Sequence, residues 1–368
     1  LPISFVDLKA QYLSIKSDID GAIQSVIDDT AFIKGKYVER FEEEYAERYD
    51  VRHCVGLASG TDAIYVSLKA LGVGEGDEVI TVANSWISTS ETITQAGAKP
   101  VFVDIDADHY TIDSALIEKK ITSKTKAIIP VHLFGQPADM RKIKHICDRH
   151  NLHLIEDCAQ AHFAEYSGQK VGTFGVAGTF SFFPGKNLGA YGDAGAIVSN
   201  DDGFAVKARM YANHGALIKH KHEIEGINSR LDGMQAAILS VKLRHIAEWN
   251  RRRLQHANMY SELLGGVSGI AVPQVREDAK HVFHLYVIRV PNRDALQKHL
   301  AEKGISTGVH YPTPLPLLPA YKYLNCQPSD FPIASGYMDQ ILSLPMFPEL
   351  TREMIEYVVS EVKLFLNS

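Results

Sequence analysis

Residues 127–157 read AIIPVHLFGQPADMRKIKHICDRHNLHLIED, and the class of fold follows from this pattern. Two nearly continuous apolar runs, AIIPVHLF and LHLIED, enclose a segment in which apolar residues recur at helical spacing. The pattern predicts a strand over Ala127–Leu133, a helix over Met140–His150 and a strand over Leu152–Glu156. Strands that are apolar on both faces are typical of a parallel sheet with helices on both sides.

The same alternation of short apolar runs and amphipathic stretches extends over about the first two thirds of the chain. It predicts an α/β fold with a large, mixed but mostly parallel sheet. Further strands are expected at Cys54–Ala58, Glu78–Val82, Pro100–Asp104, Gly178–Phe183 and Ala194–Ser199. Further helices are expected at Thr61–Leu71, Ser88–Ala96 and Gly203–Asn213.

The last third of the chain has a different pattern. One long helix is expected from Leu231 to Leu263, because MQAAILSVKLRHIAEW places apolar residues three and four positions apart. The remaining elements are a strand at Val282–Val290, a helix at Arg293–Lys303, a proline-rich loop at Tyr311–Pro319 and a final helix from Thr351. We therefore expect a large domain over residues 1–245 and a smaller α+β domain over residues 246–368.

The composition excludes several classes of protein. The 368 residues include 38 Lys and Arg against 44 Asp and Glu, a formal net charge of −6, which gives no electrostatic case for nucleic acid as a partner. No segment approaches the roughly 18 consecutive apolar residues of a membrane span. The four cysteines lie far apart and form no CxxC pair. These features predict a soluble, cytoplasmic protein that acts neither on nucleic acid nor in a membrane.

Lys186 is the first candidate catalytic residue. It follows an apolar strand in SFFPGKNLGAYGDAGAIV, residues 181–198, where several glycines crowd the loop. A lysine that is partly shielded from water favours its neutral amine, which is the form that attacks a carbonyl group. The alternative is an ordinary solvated loop lysine.

Asp157 ends the predicted strand LHLIED, at the edge where an open α/β sheet binds ligands. A carboxylate there could hold the protonated nitrogen of a pyridine ring. A helix N-cap is the alternative, since Asp favours that position.

The segment ASGTD, residues 58–62, joins a strand to a helix and can point backbone N–H groups at an anion. The Ser181 hydroxyl, five residues before Lys186, could bind the same anion. Simple helix capping is the alternative. Trp86, after the next strand, could stack on a flat heterocycle or lie buried in the core.

Several motifs together resemble the DegT/DnrJ/EryC1/StrS family of sugar aminotransferases. They are SGTDA, IEDCAQ, SFFPGK, AYGDAGAI, GINSRLDGMQAAIL and GVHYPTPLP, and the similarity runs from FVDLKAQY to LSLPMFPEL. The resemblance implies a fold-type-I transferase of the aspartate-aminotransferase type that uses pyridoxal 5'-phosphate (PLP). It also implies a homodimer whose active sites contain residues of both subunits.

The resemblance assigns a role to each matching residue. Lys186 would bind the cofactor as a Schiff base, Asp157 would pair with its pyridine nitrogen, and Gln160 would face its phenolic oxygen. Trp86 would cover the ring. The phosphate would be held by residues that all lie at strand ends or helix starts: Ser59, Gly60, Thr61, Ser181 and, from the other subunit, Asn228. Substrate would be bound by Arg230, His310 and Tyr311.

For these last residues, physical reasoning from the sequence leaves alternatives open. Arg230 suits recognition of a carboxylate or phosphate, but an isolated arginine at a helix start often forms a surface ion pair. HGALIKHKH, residues 214–222, could meet a nucleotide diphosphate or be a solvated loop. We expect no metal, because His220 and His222 have no accompanying cluster of ligands.

The predicted activity is transfer of an amino group from L-glutamate to a keto-sugar nucleotide. The motifs NSRLD and VHYPTPLP are most similar to those of family members that aminate C3 of a dTDP- or UDP-linked hexose, and amination at C4 is the alternative. Sugar dehydratases of this fold carry histidine at the position of Lys186, so the lysine favours transamination. A non-catalytic protein that senses a cofactor or sugar nucleotide is a further alternative.

Overall fold

The structure, a computed structural model, describes residues 2–367. The helices are α1 Leu8–Ser14, α2 Lys16–Asp28, α3 Lys36–Tyr49, α4 Gly60–Ala70, α5 Ser88–Gln95, α6 Ser114–Ile117, α7 Met140–His150, α8 Asp202–Tyr211, α9 Gly233–Leu243, α10 Ile246–Leu264, α11 Arg293–Glu302, α12 Pro332–Tyr337 and α13 Arg352–Leu366. The strands are β1 His53–Leu57, β2 Glu78–Val82, β3 Lys99–Val103, β4 Thr125–Ile129, β5 His153–Asp157, β6 Glu165–Tyr166, β7 Gln169–Lys170, β8 Ala177–Ser181, β9 Gly195–Ser199, β10 Ala279–Lys280, β11 Tyr286–Arg289 and β12 Ile341–Leu344.

A seven-stranded sheet organises the molecule, with strand order β1-β9-β8-β5-β4-β2-β3. Neighbouring strands pair in parallel except at β9, which is antiparallel to both β1 and β8. The carboxyl ends of β1, β2, β5 and β8 therefore meet at one edge. The predicted α/β fold with a mostly parallel sheet is confirmed.

Alternate residues of the central strands enter two different cores. Ile128 and Leu154 pack with α3, α7 and α9 on one face, whereas Ile129 and Ile155 pack with α4, α5 and α8 on the other. This is the period of two that a pleated strand imposes. It explains why these strands are apolar at nearly every position.

The strand predicted at Ala127–Leu133 is too long at its carboxyl end. The structure ends β4 at Ile129 rather than Leu133. Pro130 has no N–H to continue a regular ladder, and a short 3₁₀ turn, Leu133–Gly135, follows. The apolar run continues because its residues are buried in this turn, not because they form a strand.

The prediction of one helix over Leu231–Leu263 is wrong, because two helices, α9 and α10, occupy that range. The last turn of α9 tightens, with Arg244 N–H donating to Val241 and His245 N–H to Lys242. The apolar periodicity continues across the break, and periodicity alone does not register a change from i→i+4 to i→i+3 bonding. Helix α9 is buried along most of its length and packs on α2 and α3.

The C-terminal part builds a second core. It contains residues of α10, α11 and α13 and of the antiparallel pair β11–β12, and Ile3 from the other end of the chain packs among them. The strand predicted at Val282–Val290 is shorter, because only Tyr286–Arg289 pairs with β12. Residues 282–285 instead lie against the turn at residues 134–135. Division of the chain into domains at residue 245 stays a prediction.

In the described part of the chain, no helix is both long enough and apolar enough to cross a membrane.

Candidate active site

A cavity of about 550 Å³ lies at the carboxyl ends of β1, β2, β5 and β8. It brings together ten of the twelve predicted site residues, which are far apart in sequence: Ser59, Gly60, Thr61, Trp86, Asp157, Gln160, Ser181, Lys186, His310 and Tyr311. Only Asn228 and Arg230 of the predicted set do not line it.

Asp157, the last residue of β5, is 4% exposed. Its Oδ2 accepts a hydrogen bond from Thr89 Oγ1 at 2.8 Å, and its Oδ1 accepts one from the N–H of Ala159 at 3.1 Å. Burial raises the pKa of the Asp157 carboxyl above its usual 3.8, although these two hydrogen bonds lower it. No helix begins directly after Asp157, so it is not a helix N-cap. It is a buried acid that faces a cavity.

Lys186 lies in the loop between β8 and β9, half-buried at the cavity wall. Among residues 2–367, its Nζ has neither a hydrogen bond nor an ion pair. Burial lowers the pKa of the Lys186 amine from 10.5 to about 8, although the nearby Asp157 carboxylate raises it. The amine form is therefore far more accessible than in a solvated lysine, and the interpretation of Lys186 as a solvated loop residue does not hold.

The loop around Lys186 needs its glycine. A Cβ atom on Gly189 would lie 2.3 Å from the carbonyl oxygen of Pro184, so only glycine lets the chain fold back here. The buried ammonium of Lys242 donates a hydrogen bond to the Gly189 carbonyl from α9. The loop is thus held by α9, while Lys186 lines the cavity.

The start of α4 forms the second wall of the cavity. Ser59 caps the helix, with its Oγ accepting from the N–H of Asp62 at 3.1 Å, and the Thr61 hydroxyl lies 2.7 Å from that of Ser88. A Cβ on Gly60 would lie 2.6 Å from the Cβ of Ser181, so glycine allows the Ser181 hydroxyl to approach the helix start. An α-helix start with free backbone donors and several hydroxyl groups favours a phosphate.

Aromatic and amide side chains form the opening of the cavity. Trp86 is 58% exposed, which excludes a core position, and its ring lies 5.7 Å from that of Tyr311. Gln160 donates from Nε2 to the Tyr311 hydroxyl at 3.0 Å and accepts from the N–H of Phe134 at 2.6 Å. A flat ring could therefore bind between Trp86 and the groups of β5.

His310 adds a neutral imidazole to the same wall. Its ring stacks on Phe5 at 5.6 Å, and its Nδ1 lies 2.8 Å from the hydroxyl of Ser343. Burial and then the charge of Lys186 lower the pKa of His310 to about 4.

Asn228 and Arg230 lie away from the cavity of their own chain. Between them, the buried Ser229 accepts a hydrogen bond from the N–H of Ala58 and donates one to Asp62, which ties this segment to the turn at the start of α4. Asn228 is exposed and Arg230 half-buried, and within the described residues Arg230 has no ion pair. The surface ion pair considered from the sequence is therefore absent there.

The stretch at residues 214–222 is an exposed turn that does not line the cavity. Its histidines and lysines face solvent, and His222 Nδ1 contacts the carbonyl of His214 at 2.7 Å. Nothing in this turn favours a role in binding within one subunit.

Two residues of the site are missing from the predictions, Thr89 and His284. Thr89 donates to Asp157 and itself lies 3.0 Å from the hydroxyl of Ser85, so it orients the buried acid. Its position three residues after Trp86 in a hydroxyl-rich helix start was a weak signal. His284 lies in a segment that resembled a plain strand, and no local signal marks it.

Glu156, beside Asp157 on β5, points to the other face and is fully buried. Its carboxylate accepts hydrogen bonds from the N–H groups of Gly172, Phe174 and Gly175 at 2.7–2.9 Å, and it lies 3.1 Å from His132 Nε2. A ring nitrogen of His132, a carboxylate oxygen of Glu156 and the Sγ of Cys158 lie within 4.8 Å of one another. The hydrogen bonds around Glu156 give it a structural role in holding the loop at residues 172–175.

These observations test whether PLP fits the cavity. Ser59, Gly60, Thr61 and Ser181 offer donors to a phosphate, and Asp157 offers a buried carboxylate to a protonated ring nitrogen. Lys186 offers an amine without a competing partner in the described chain. The donor set and its arrangement fit the cofactor.

Comparison with known proteins gives a family. The model of the DegT/DnrJ/EryC1/StrS aminotransferase family matches residues 13–363. A "Pleiotropic regulatory protein" of Geobacillus stearothermophilus is 48% identical over 99% of this chain and 98% of its own length. A "dTDP-3-amino-3,4,6-trideoxy-alpha-D-glucose transaminase" of Streptomyces venezuelae is 43% identical over 98% and 95%. A "UDP-N-acetyl-3-dehydro-alpha-D-glucosamine 3-aminotranferase" of Acidithiobacillus ferrooxidans is 42% identical over 99% and 98%.

Solved structures agree with these relatives. The structure of S. venezuelae DesV in complex with a ketimine intermediate superposes with a TM-score of 0.98, at 42% identity, over 100% of this chain and 99% of that chain. A Bacillus subtilis structure, NtdA with bound cofactor PMP, superposes with a TM-score of 0.90, at 33% identity, over 96% and 82%.

Proposed function

The chain belongs to the DegT/DnrJ/EryC1/StrS aminotransferase family, and from that premise we propose that it transfers an amino group from L-glutamate to C3 of a dTDP- or UDP-linked keto hexose. The predictions of the family, of a fold-type-I PLP transferase fold and of an aminotransferase activity are confirmed. The predicted cofactor, PLP, is confirmed as well. The donor, the sugar and the position of amination are the proposal.

One observation supports this function most directly. A buried acid, Asp157, and an amine without a partner among the described residues, Lys186, face one cavity beside an anion-binding helix start. A protein that only bound a ligand would not need an amine whose pKa is lowered to about 8.

The roles of the residues follow from these positions. When bound, PLP supplies an electron sink that stabilises negative charge at the carbon that loses its proton. Asp157 would keep a proton on the ring nitrogen, since its buried carboxylate has no cationic partner within hydrogen-bond distance among residues 2–367. Ser59, Gly60, Thr61 and Ser181 would hold the phosphate, and Trp86 would cover the ring, with Gln160 at its edge.

Lys186 has two tasks in this proposal. Its Nζ would hold the cofactor covalently until the amino donor displaces it. As a free amine, Nζ would then take the proton from Cα of the donor, as a general base with a pKa near neutral pH does. Burial of the lysine serves both tasks, because it favours the neutral amine.

The relatives' names support amination at C3, since they describe a 3-amino sugar and a 3-aminotransferase. In this proposal, His310 and Tyr311 contact the sugar at the opening of the cavity. A homodimer would add Asn228 and Arg230 of one subunit to the other's site, which agrees with the exposure of Asn228 and the partial exposure of Arg230 beside the anchored Ser229. Neither nucleic acid nor a membrane takes part, and a cytoplasmic location belongs to the proposal.

The test combines spectroscopy with product analysis. L-Glutamate should convert the yellow, cofactor-loaded protein to its amino form, and a panel of dTDP- and UDP-linked 3-keto and 4-keto hexoses should restore the yellow form only with its true acceptor. NMR of the product then locates the new amine. A new amine at C4 would overturn the C3 assignment, and a spectrum unchanged by glutamate would overturn glutamate as the donor and support a regulatory role.

A further inference from the structure

His284 lines the same cavity as Lys186 but comes from the C-terminal part of the chain. Residues 282–285 run along the turn at residues 134–135, with the N–H of Val282 donating to Gly135 and that of Leu285 to Phe134. This packing places the half-buried His284 at the cavity wall, next to the loop that carries the catalytic lysine.

A chain of hydrogen bonds fixes which nitrogen of His284 carries the proton. Asn250 Nδ2 donates to the carbonyl of His162 at 2.9 Å, so Asn250 Oδ1 is left as an acceptor. Asn187 Nδ2 donates to that oxygen at 2.9 Å and to the carbonyl of Val282 at 3.0 Å. Asn187 Oδ1 must then accept, and it lies 3.2 Å from His284 Nδ1. Because backbone carbonyls cannot donate, the chain runs in one direction only, and His284 is protonated at Nδ1.

The second ring nitrogen, Nε2, is therefore an unprotonated acceptor, and no hydrogen bond to it is present among residues 2–367. The charged and titratable groups around His284 are Lys186, Arg253, His310 and His162, of which none is anionic. Burial, and then the positive charges of Lys186 and Arg253, lower the pKa of His284 well below 6.5. The imidazole is therefore neutral at neutral pH.

We propose that His284 Nε2 accepts a hydrogen bond from a hydroxyl group of the bound sugar, and that it thereby acts in the sugar half of the reaction and not in the glutamate half. The proposal rests on the proposed function. A 3-keto hexose of the kinds that the relatives' names describe keeps at least one hydroxyl group next to its reacting carbonyl, and a hydroxyl can donate to a lone pair. The carboxylate groups of glutamate have no proton to offer, so an acceptor with no charge gives them no hydrogen bond.

The two half-reactions test this separately. We expect His284→Phe to keep the glutamate half-reaction within about threefold and to slow the half-reaction with an amino-sugar nucleotide about tenfold, the range for loss of one hydrogen bond. The probes are a dTDP-linked and a UDP-linked 3-amino hexose, which run the sugar half-reaction in reverse. His284→Gln, which keeps an acceptor on a side chain of similar reach, should restore part of the rate. His281→Gln, on the same segment but outside the cavity, is the matched control and should change neither half-reaction.

An independent readout needs no turnover. The His284 resonances of apo-protein labelled with ¹⁵N-histidine are assigned as those that the His284→Gln variant lacks. In the wild-type protein they should show a proton on Nδ1 and none on Nε2 from about pH 5.5 to about pH 8.5. A proton on Nε2 would overturn the proposal. Equal losses in both half-reactions, or an unchanged sugar half-reaction in His284→Phe, would overturn it too. A wild-type protein that reacts with glutamate but with neither amino sugar would instead overturn the proposed function.

Discussion

Two neighbouring acids on strand β5, Glu156 and Asp157, have opposite surroundings. Glu156 is fully buried, and three backbone N–H groups donate to it while His132 lies within hydrogen-bond distance. Asp157 is almost as deeply buried, but it has one side-chain donor and one backbone donor and faces a cavity.

We propose that the difference separates a structural acid, Glu156, from a functional one, Asp157. A buried carboxylate costs free energy unless its partners compensate for the lost water. The protein supplies those partners for Glu156, which holds the loop at residues 172–175. For Asp157 it supplies fewer, and the cofactor's ring nitrogen would complete the set. The same reasoning applies to Lys186, whose amine has no partner in the described chain. We expect variants on the two sides of β5 to fail in different ways.

The largest effect is expected on the functional side. Lys186→Ala should lower the rate of the glutamate half-reaction about 10⁴-fold, because it removes the group that takes the donor's proton. Stopped-flow absorbance with bound PLP measures this rate. Unchanged thermal stability of the apo-protein would show that the fold is kept, and full activity would refute the role of Lys186.

Asp157→Asn should slow the same half-reaction about 10²–10³-fold, the usual cost of losing one key electrostatic group. The free energy of unfolding of the apo-protein should not fall, since the variant removes a buried charge. Urea denaturation and stopped-flow absorbance measure the two quantities. If the variant unfolded more easily and reacted normally, Asp157 would belong with Glu156 as a structural acid.

Glu156→Gln is the matched change on the structural side. It should lower the free energy of unfolding by about 2–3 kcal/mol, because the amide replaces one of two acceptor oxygens that accept from buried donors. The glutamate half-reaction of the folded fraction should change less than about threefold by comparison. A large loss of rate with unchanged stability would remove the distinction between the two acids.

The smallest effect concerns pH. The Lys186 amine has a pKa of about 8 in the apo-protein, so it is mostly protonated at neutral pH and mostly neutral above that value. The rate at which apo-protein takes up PLP covalently should therefore rise about tenfold from pH 7 to pH 9.5. Rapid-mixing absorbance measures it. A midpoint near 10.5 would mean that Lys186 is a solvated lysine. Glu156→Gln should leave the midpoint unchanged.

Much of this architecture could be predicted from residue patterns. Strands β2 and β5 and helix α7 lie where apolar runs and helical periodicity placed them, within one residue. The same patterns failed between α9 and α10, where a tightened turn breaks a helix without interrupting its apolar face. They also failed at Val282–Leu285, where the apolar residues are buried against the turn at residues 134–135 and do not form a strand.

The site shows the same division. Lys186, Asp157 and the helix start at Ser59 could be proposed as site residues because each stands at or shortly after a strand end, and strand ends in a parallel sheet converge. Thr89 could not, since its importance comes from one hydrogen bond to Asp157. His284 could not either, because its position depends on contacts between distant segments.

The sequence by itself determined the class of fold, because this depends on the periodicity of apolar residues. Its resemblance to a known family implied the cofactor and the proposed site residues, because the motifs that carry the resemblance are local along the chain. Only the tertiary structure decided which buried polar groups have partners. Glu156 and Asp157 are adjacent acids that sequence patterns cannot tell apart. The pleat of β5 directs Glu156 toward donors of the loop at residues 172–175 and Asp157 toward the cavity. That difference in hydrogen bonding is the reason for which we propose a structural role for Glu156 and a functional role for Asp157.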